Sequence, residues 1–388
     1  MTGTNREVVI AACGRSAVAK AYKGALHATH PVELGGQILR GVLDKLPQLS
    51  PDEIDDVIIG CARPEGPQCS NIGRLIALRA GIPASVPAQT LTRFCSSGLQ
   101  AVATGANAIL SGQQEVVVCG GVESMTCVTM GTPEEYRCQW LSQNYPDAYI
   151  PMGLTAENVA RKYNISRREM EEFAVESHRK AARAQAEGRF DSQIIPVIVP
   201  GPDGEPVEFK QDEGIRPNST VETLQKLKPA FLEDGLVTAA TASQMSDGAG
   251  MAVLMSAEKA EALGISPVAK FIAHAVVGVE PAYMGLGPIG AVRKLLSMTG
   301  GTVDDFDVIE INEAFAAQAI PCIRELGFDM AKVNPNGGAI ALGHPLGGTG
   351  LILLCKALAE LQRTGGTRAL VTMCIGGGMG AAAAFELL

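Results

Sequence analysis

The 388-residue chain lacks any long apolar run. Hydrophobic residues make up 46% of it, but they are broken into short stretches, none close to the ~18 uninterrupted apolar residues that suggest a membrane span. No membrane span is therefore expected. Positive charge is also scarce: 32 Lys and Arg face 41 Asp and Glu, the formal net charge is −9, and the basic residues are scattered. Phosphate backbones are bound by concentrated positive charge, so no nucleic-acid partner is expected, although a local basic pocket for one phosphorylated cofactor remains open. The start, MTGTNREVVIAACGRSA, has no signal-peptide core or Arg-rich transit pattern, and the closing FELL is not an SKL-type address. The expected compartment is the cytoplasm. The ten cysteines include no CxxC pair, which removes the common zinc and redox spacings. Reduced thiols, most of them small buried hydrophobes, and no metal site are the expectation.

What is present is repetition. A chain of this length exceeds what one core usually supports, so domains or repeated halves are expected. From residue 55 the sequence runs DDVIIG, a helical stretch ending in LRAGI, then FCSSG, a second helical stretch and EVVVCGG. From residue 305 the order recurs as DFDVIEINEAFA, a helical stretch ending in ELGF, then GHPLGGTG, another helix and RALVTMCIGGG. Asp56 precedes Cys95 by 39 residues and Asp307 precedes His344 by 37, which marks an internal duplication. Alternating β-branched and amphipathic helical runs predict an α/β fold around a mainly parallel sheet. Leu99, Val102, Ala106 and Ile109 recur at helical spacing in the first copy, and Leu351, Leu354, Leu358 and Leu361 in the second. Residues 1–122 with 243–270 read as one half and 271–388 as the other. Residues 123–242 read as an insertion, with one long charged helix opened by the capping box Ser166 to Glu169 and closed at Gly188.

Four groups can carry chemistry. Cys95 opens a helix, where the partial positive charge favours a thiolate, and Gly98 allows close approach. Read alone, Cys95 is equally a buried apolar cysteine. Of five histidines, only His344 stands in a glycine-rich loop before a helix. His178 reads as a solvated residue of the charged helix, His27 and His30 as loop residues without a partner, and His274 as a core group. The duplication would set Cys95 against His344 if the halves pack about a pseudo-twofold axis, and histidine is the base that suits a thiol at neutral pH. Asn312 in NEAFA can donate to a developing oxyanion, or Asn312 and Glu313 can simply cap the next helix. Cys374, in MCIGGGMG, stands at a strand end before glycines whose N–H groups can form a second oxyanion site.

Together these blocks resemble the thiolase family over essentially the whole chain: CSSGLQA at 95–101, GGVESMT at 120–126, PMGLTAENVA at 151–160, RPNST and KLKPAF near 216–231, NEAFAAQA at 312–319, GHPLG at 343–347 and CIGGGMG at 374–380. The resemblance implies duplicated α/β halves in α-β-α-β-α layers with an inserted loop domain. It also implies an acyltransferase with coenzyme A as co-substrate and no permanently bound cofactor. Cys95 would form an acyl-thioester while 3-ketoacyl-CoA is cleaved to acetyl-CoA and a shortened acyl-CoA, with His344 activating it and Cys374 as the second acid/base. One oxyanion site would use His344 with a water held by Asn312, the other the backbone N–H groups of Cys95 and Gly376. For coenzyme A, the matching positions are Arg216 and Thr223 near the nucleotide, Phe231, Ala239 and Ser243 near the pantetheine, and Met152, Met284 and Phe315 near the acyl end.

A homodimer or homotetramer is implied, with contacts through residues 125–145, where Cys127, Cys138 and Trp140 are interface or packing candidates. Pro151 precedes Met-Gly where acetyl-CoA-specific biosynthetic thiolases carry histidine, which tilts the reading toward β-oxidation-type cleavage. Thr92 stands where the family commonly has asparagine, a change in the support of the Cys95 loop. The alternatives are a biosynthetic acetoacetyl-CoA thiolase, a hydroxymethylglutaryl-type condensing enzyme, against which Cys374 counts, and a non-catalytic acyl-CoA or lipid-binding relative.

Overall fold

The computed structural model describes residues 6–128, 130–201 and 203–388. The first half runs β1 (Val8–Arg15), β2 (Ala19–Lys20), α1 (Pro31–Leu43), β3 (Asp56–Gly60), α2 (Ile72–Arg79), β4 (Ala88–Leu91), α3 (Ser97–Leu110) and β5 (Val116–Ser124). An insertion follows, with α4 (Gln139–Asn144), α5 (Met152–Lys162), α6 (Arg167–Ala186), β6 (Val197–Pro200), β7 (Pro206–Phe209) and α7 (Val221–Leu224). The chain then returns to the first half through β8 (Ser246–Ser256) and α8 (Ala257–Ala262). The second half repeats the plan as β9 (Ala269–Gly278), α9 (Gly287–Thr299), β10 (Val308–Ile311), α10 (Ala316–Leu326), α11 (Ala339–Leu342), α12 (Leu346–Thr364), β11 (Arg368–Ile375) and β12 (Met379–Leu387).

Strand periodicity sorts the side chains into layers. Successive strand residues point to opposite faces, so Val116 and Val118 of β5 join the cluster under α1 and α2, while Val117 and Cys119 face a central layer. In β12, Ala381, Ala383 and Phe385 face that same layer, whereas Ala382 and Ala384 pack under α9 and α10. The central layer holds α3 and α12. Leu99, Val102, Ala106 and Ile109 of α3 meet Leu351, Leu354, Leu358 and Leu361 of α12, all at most 1% exposed. The order is therefore α, β, α, β, α, as the resemblance implied. Two residue pairs, Val9 with Lys270 and Ile10 with Ala269, join β1 to β9 antiparallel and link the half-sheets in the order β4-β3-β5-β8-β1-β9-β12-β11-β10.

The expectation of a mainly parallel sheet is corrected. Among the described residues β3 pairs in parallel with β4 and β5, and β10 with β11, but β8 and β12 each run antiparallel to both neighbours. The cause in the second half is local: only three residues separate β11 from β12, too few for the crossover a parallel neighbour requires. Two of the three, Gly377 and Gly378, have φ of 80° and 87°, which side chains other than glycine rarely adopt. These glycines therefore first serve a hairpin.

The insertion packs against the second half. Ala156 and Ala160 of α5 and Met170 and Ala174 of α6 share a cluster with Met284, Phe315, Ala316, Ile340 and Cys374, which brings Met152 at the start of α5 to that cluster. Ser166 caps α6 in a reciprocal box with Glu169, and Gly188 with φ 67° follows the helix, as the sequence indicated.

His178 is not solvated: it is 3% exposed, and its Nδ1 accepts the Arg216 N–H at 3.1 Å. The polar composition of α6 hid an inward face. His30 caps α1 by accepting from Val32 N–H, and His27 Nδ1 lies 2.8 Å from Gly24 O, so both have partners. His274 Nε2 has no partner among the described residues, contrary to a satisfied core group. Five cysteines are buried, three are intermediate, and Cys69 and Cys138 are exposed, so burial is the rule for only half of them.

Burial, with the nearby Arg216 and Lys20 charges, lowers His178 from 6.5 to about 4. Between those values the unfolded chain takes a proton at His178 that the folded chain refuses, so this contribution to stability is present above about pH 6.5 and is lost as pH falls toward 4. His178→Asn keeps an acceptor for Arg216 N–H. Urea unfolding at several pH values should show the dependence in that window shallower in the variant by up to about one proton.

Candidate active site

Cys95 lies in a 3-10 turn, Phe94–Ser96, at the start of α3. Phe94 takes φ 43°, a conformation that costs a bulky residue on the order of 1–3 kcal/mol and persists where the surroundings fix it. Several bonds do so: Ser97 Oγ donates to Phe94 O at 2.7 Å and accepts from Arg93 N–H at 2.8 Å. Thr92 Oγ1 donates to Ala62 O at 3.1 Å and accepts from Phe94 N–H at 3.4 Å. Threonine therefore supports this loop directly, which answers the question raised by the missing asparagine.

The role of Gly98 is also different from substrate approach. A Cβ there would sit 2.7 Å from Gly347 O and 2.9 Å from Leu351 Cδ2, so Gly98 lets α3 lie against the loop that carries His344. Across the contact, a Cβ at Gly350 would collide with the Leu99 backbone. Leu346 packs with Cys95 in a small cluster with Ala62 and Met125.

His344 is 4% exposed. Its Nδ1 lies 2.7 Å from Thr349 Oγ1, and Asn312 Nδ2 lies 3.4 Å from its Nε2. With Asn312 Nδ2 as donor, Nε2 is the lone-pair nitrogen and Nδ1–H donates to Thr349. Thr349 is a positioning residue that sequence reading missed; its place one helical turn beyond the GHP motif was the available signal. Asn312 is fully buried at the end of β10, and its Oδ1 has no partner among the described residues. An unpaired buried acceptor at a site marks a place for a donor from water or ligand. Helix α10 is capped from Phe315, so the capping alternative for Asn312 and Glu313 does not hold. Glu313 instead accepts from Ser177 Oγ at 2.6 Å, Asn334 Nδ2 at 2.8 Å and Ile340 N at 3.2 Å.

Cys374 is the next-to-last residue of β11, buried and opposite Gly380. Gly376 lies beyond it with no positive φ and only ordinary contacts, a Cβ there falling 3.6 Å from Met152 Sδ and 3.7 Å from the Phe94 ring. The N–H groups of Gly376 and of Cys95 itself favour the charged form of the Cys95 sulfur. The two thiols feel each other electrostatically.

The expected thiolate at rest is corrected. Cys95 as a residue is half-buried, yet burial of its sulfur raises the thiol to about 11, and the backbone N–H groups offset this only in part. Burial likewise raises Cys374 well above the ordinary thiol range, with the Cys95 charge adding to it, and lowers His344 to about 4. The resting pair is neutral.

Of the residues matched to coenzyme A, Met284 and Phe315 share one apolar cluster with Cys374, and Met152 packs against it. Phe231, 40% exposed, stacks edge-on to Phe315 at 5.9 Å. Ala242 bridges to Phe315, so Ser243 follows alongside, its N–H donating to Ala314 O at 2.9 Å, while Ala239 is exposed nearby in the chain. Arg216 and Thr223 are exposed in the insertion. Thr223 belongs to the capping box of α7, and neither shares the cluster of the thiols.

A duplicated α/β frame with two thiols and an imidazole near its seam is the arrangement that the sequence blocks implied. Residues 8–258 match the thiolase N-terminal domain and residues 265–387 the thiolase C-terminal domain. The chain belongs to the thiolase family and is an acyltransferase. It is 47% identical to a 3-ketoacyl-CoA thiolase of Bacillus subtilis (strain 168), covering 98% of this chain and 100% of that one. It is 43% identical to an acetyl-CoA acetyltransferase of Cupriavidus necator, covering 98% and 99%. The crystal structure of the Bacillus anthracis acetyl-CoA acetyltransferase superposes with a TM-score of 0.93 at 39% identity, covering 100% of both chains.

Thr349→Val should leave a buried Nδ1–H unpaired, a loss of about 1–3 kcal/mol, or about 5- to 150-fold in kcat/KM for thiolysis. Thr349→Ser should restore most of it. Iodoacetamide labelling of Cys95 should fall and recover in parallel; unchanged labelling in the valine variant would show that Thr349 does not act through His344.

Proposed function

We propose that the protein uses coenzyme A to cleave 3-ketoacyl-CoA to acetyl-CoA and a shortened acyl-CoA, through an acyl-thioester on Cys95. The observation that carries this reading is the packing of the Cys374 loop on the turn that holds Cys95: Gly376 lies beside the Phe94 ring and Cys95 packs against the layer that includes Met373 and Ile375, which supports one pocket for both thiols. His344 Nε2 takes the Cys95 proton as the sulfur attacks the 3-keto carbon. The Cys95 and Gly376 N–H groups hold the resulting oxyanion. The C2–C3 bond then breaks, and Cys374 protonates C2 of the departing acetyl-CoA enolate, whose oxygen rests on His344 and a water held by Asn312. The Cys374 thiolate takes the proton of incoming coenzyme A, whose sulfur attacks the acyl group and releases Cys95, and His344 returns its proton.

Met152, Met284 and Phe315 would line the acyl end, and Phe231, Ala239 and Ser243 the pantetheine. Thr223 and Arg216 would meet the nucleotide; among the described residues no carboxylate pairs with Arg216, which leaves its guanidinium free for phosphate. Pro151, just before α5, favours degradation over acetyl-CoA condensation because it stands where the acetyl-CoA-specific enzymes carry histidine. A cytoplasmic homodimer or homotetramer is part of the same reading. Exposed Tyr136 and Trp140, 75% and 64% accessible, support a contact through residues 125–145. No described helix is long and apolar enough to cross a membrane.

Thiolysis of C4, C8 and C16 3-ketoacyl-CoA tests the proposal. Comparable or rising kcat/KM with chain length is expected, and activity confined to C4 would transfer the assignment to the biosynthetic acetoacetyl-CoA reaction. Cys95→Ser should lose at least about a thousandfold. Cys374→Ser should still acylate Cys95 from acetyl-CoA yet fail to exchange the C2 protons of acetyl-CoA, whereas equal loss of both steps would remove the proposed division of labour.

A further inference from the structure

Cys13 and Cys355 form a second thiol pair, apart from the proposed chemistry. Cys13 belongs to β1 of the first half and Cys355 to α12 of the second, so the contact joins the halves. Cys13 packs against the buried layer that includes Leu354 and Leu358 of α12, and each thiol shifts the titration of the other. Both line a cavity of about 430 Å³ whose wall also includes Lys45, Gln193, Ser266 and Gln362. Cys13 is half-buried and Cys355 is buried, which makes Cys13 the member nearer to solvent. Lys45 reaches over it, with Nζ donating to Cys13 O at 2.9 Å.

The pair is chemically asymmetric. The neighbouring Cys355 thiol draws Cys13 below the ordinary thiol range against the effect of burial, with the Lys45 ammonium helping, whereas Cys355 is held well above it. Cys13 is therefore the member that gives up its proton more readily. Cys95 and Cys374 are shifted the other way, both upward, so the thiol that ionises more readily lies away from them.

We propose that Cys13 and Cys355 are a peroxide-reactive dithiol that closes to a disulfide between the two halves. The Cys13 thiolate attacks one oxygen of hydrogen peroxide and the O–O bond breaks. The leaving hydroxide takes up the proton that Cys13 had released and becomes water, leaving a sulfenic acid on Cys13. The Cys355 sulfur attacks that sulfur as its S–O bond breaks, and the departing oxygen leaves as water with the Cys355 proton. Two thiols are oxidised by two electrons, and one peroxide is reduced to two waters. The resolving thiol lines the same cavity as the first, which keeps the second step local.

The full-length protein, treated with hydrogen peroxide and digested without reductant, tests this by mass spectrometry. A peptide joining Cys13 to Cys355, two hydrogens lighter than the separate peptides and reversed by dithiothreitol, is expected to form about tenfold or more faster than Cys95 is oxidised. Cys355→Ser should stop at a Cys13 sulfenic acid that dimedone labels, and Cys13→Ser should give neither product. Oxidation of Cys95 or Cys374 ahead of Cys13, or of Cys13 in the wild type without linkage to Cys355, would overturn the proposal. The wild-type digest decides the matter even if a variant folds poorly.

Discussion

The site depends on one close approach of backbone to backbone, where α3 of the first half meets the start of α12 in the second. Gly98 lies against Gly347 O, and Gly350 lies against Leu99. Any side chain at either position would push the helices apart, and with them Cys95 and His344, which stand just before the two helix starts. The contact also turns two helix N-termini toward one region from opposite halves. Each carries the partial positive charge of a helix start, an environment suited to developing negative charge, although at α12 the Leu346, Gly347 and Gly348 N–H groups are already paired with His344 O, Glu123 and Pro345 O.

The same close packing has an electrostatic consequence that works against a permanent thiolate. The sulfur of Cys95 and the imidazole of His344 are both withdrawn from water, which opposes an isolated charge on either. In the proposed reaction a proton passes from one to the other as the two opposite charges form together, and their attraction is stronger in an interior than in water. Directed N–H groups then matter more than the resting protonation state. In the proposed reaction they act on the charge at the moment it appears, without reorganising.

Much of this frame was legible in the sequence. The repeated order of DDVIIG and FCSSG with DFDVIE and GHPLGG identified the halves, and the leucine spacings identified the buried faces of α3 and α12, because periodicity reports burial directly. Strand direction was less legible: alternation shows which face is buried but does not say whether a neighbour runs parallel, and the three-residue turn before β12 settled that through loop length. His178 was misread because the polar residues of α6 gave no sign that one stripe packs inward under the 216 segment. Thr349 and Thr92 were hard to read for a related reason. Each acts through a single hydrogen bond or two, and such bonds leave no period in a sequence.

The loops that hold the reactive groups lack the ladders that fix a strand, and buried carboxylates supply the missing connections. Glu123 accepts from Ala62 N at 2.8 Å, Gln68 Nε2 at 2.7 Å and Gly347 N at 3.0 Å, tying the loop under Thr92 to the loop of His344. Glu313 joins α6, Asn334 and α11, beside Asn312. Glu310, two residues before Asn312, receives Lys356 of α12 at 2.6 Å, while that ammonium also donates to Gly337 O at 2.7 Å. Burying these charges is unfavourable in itself, and desolvation raises both Glu123 and Glu310. Their value lies in direction: an apolar contact tolerates sliding, whereas a carboxylate with several donors fixes the angles between the segments that supply them. Asn312 and His344 come from different elements and must meet at hydrogen-bond range, so this angular control gives the buried acids a reason to stand where apolar side chains would also pack.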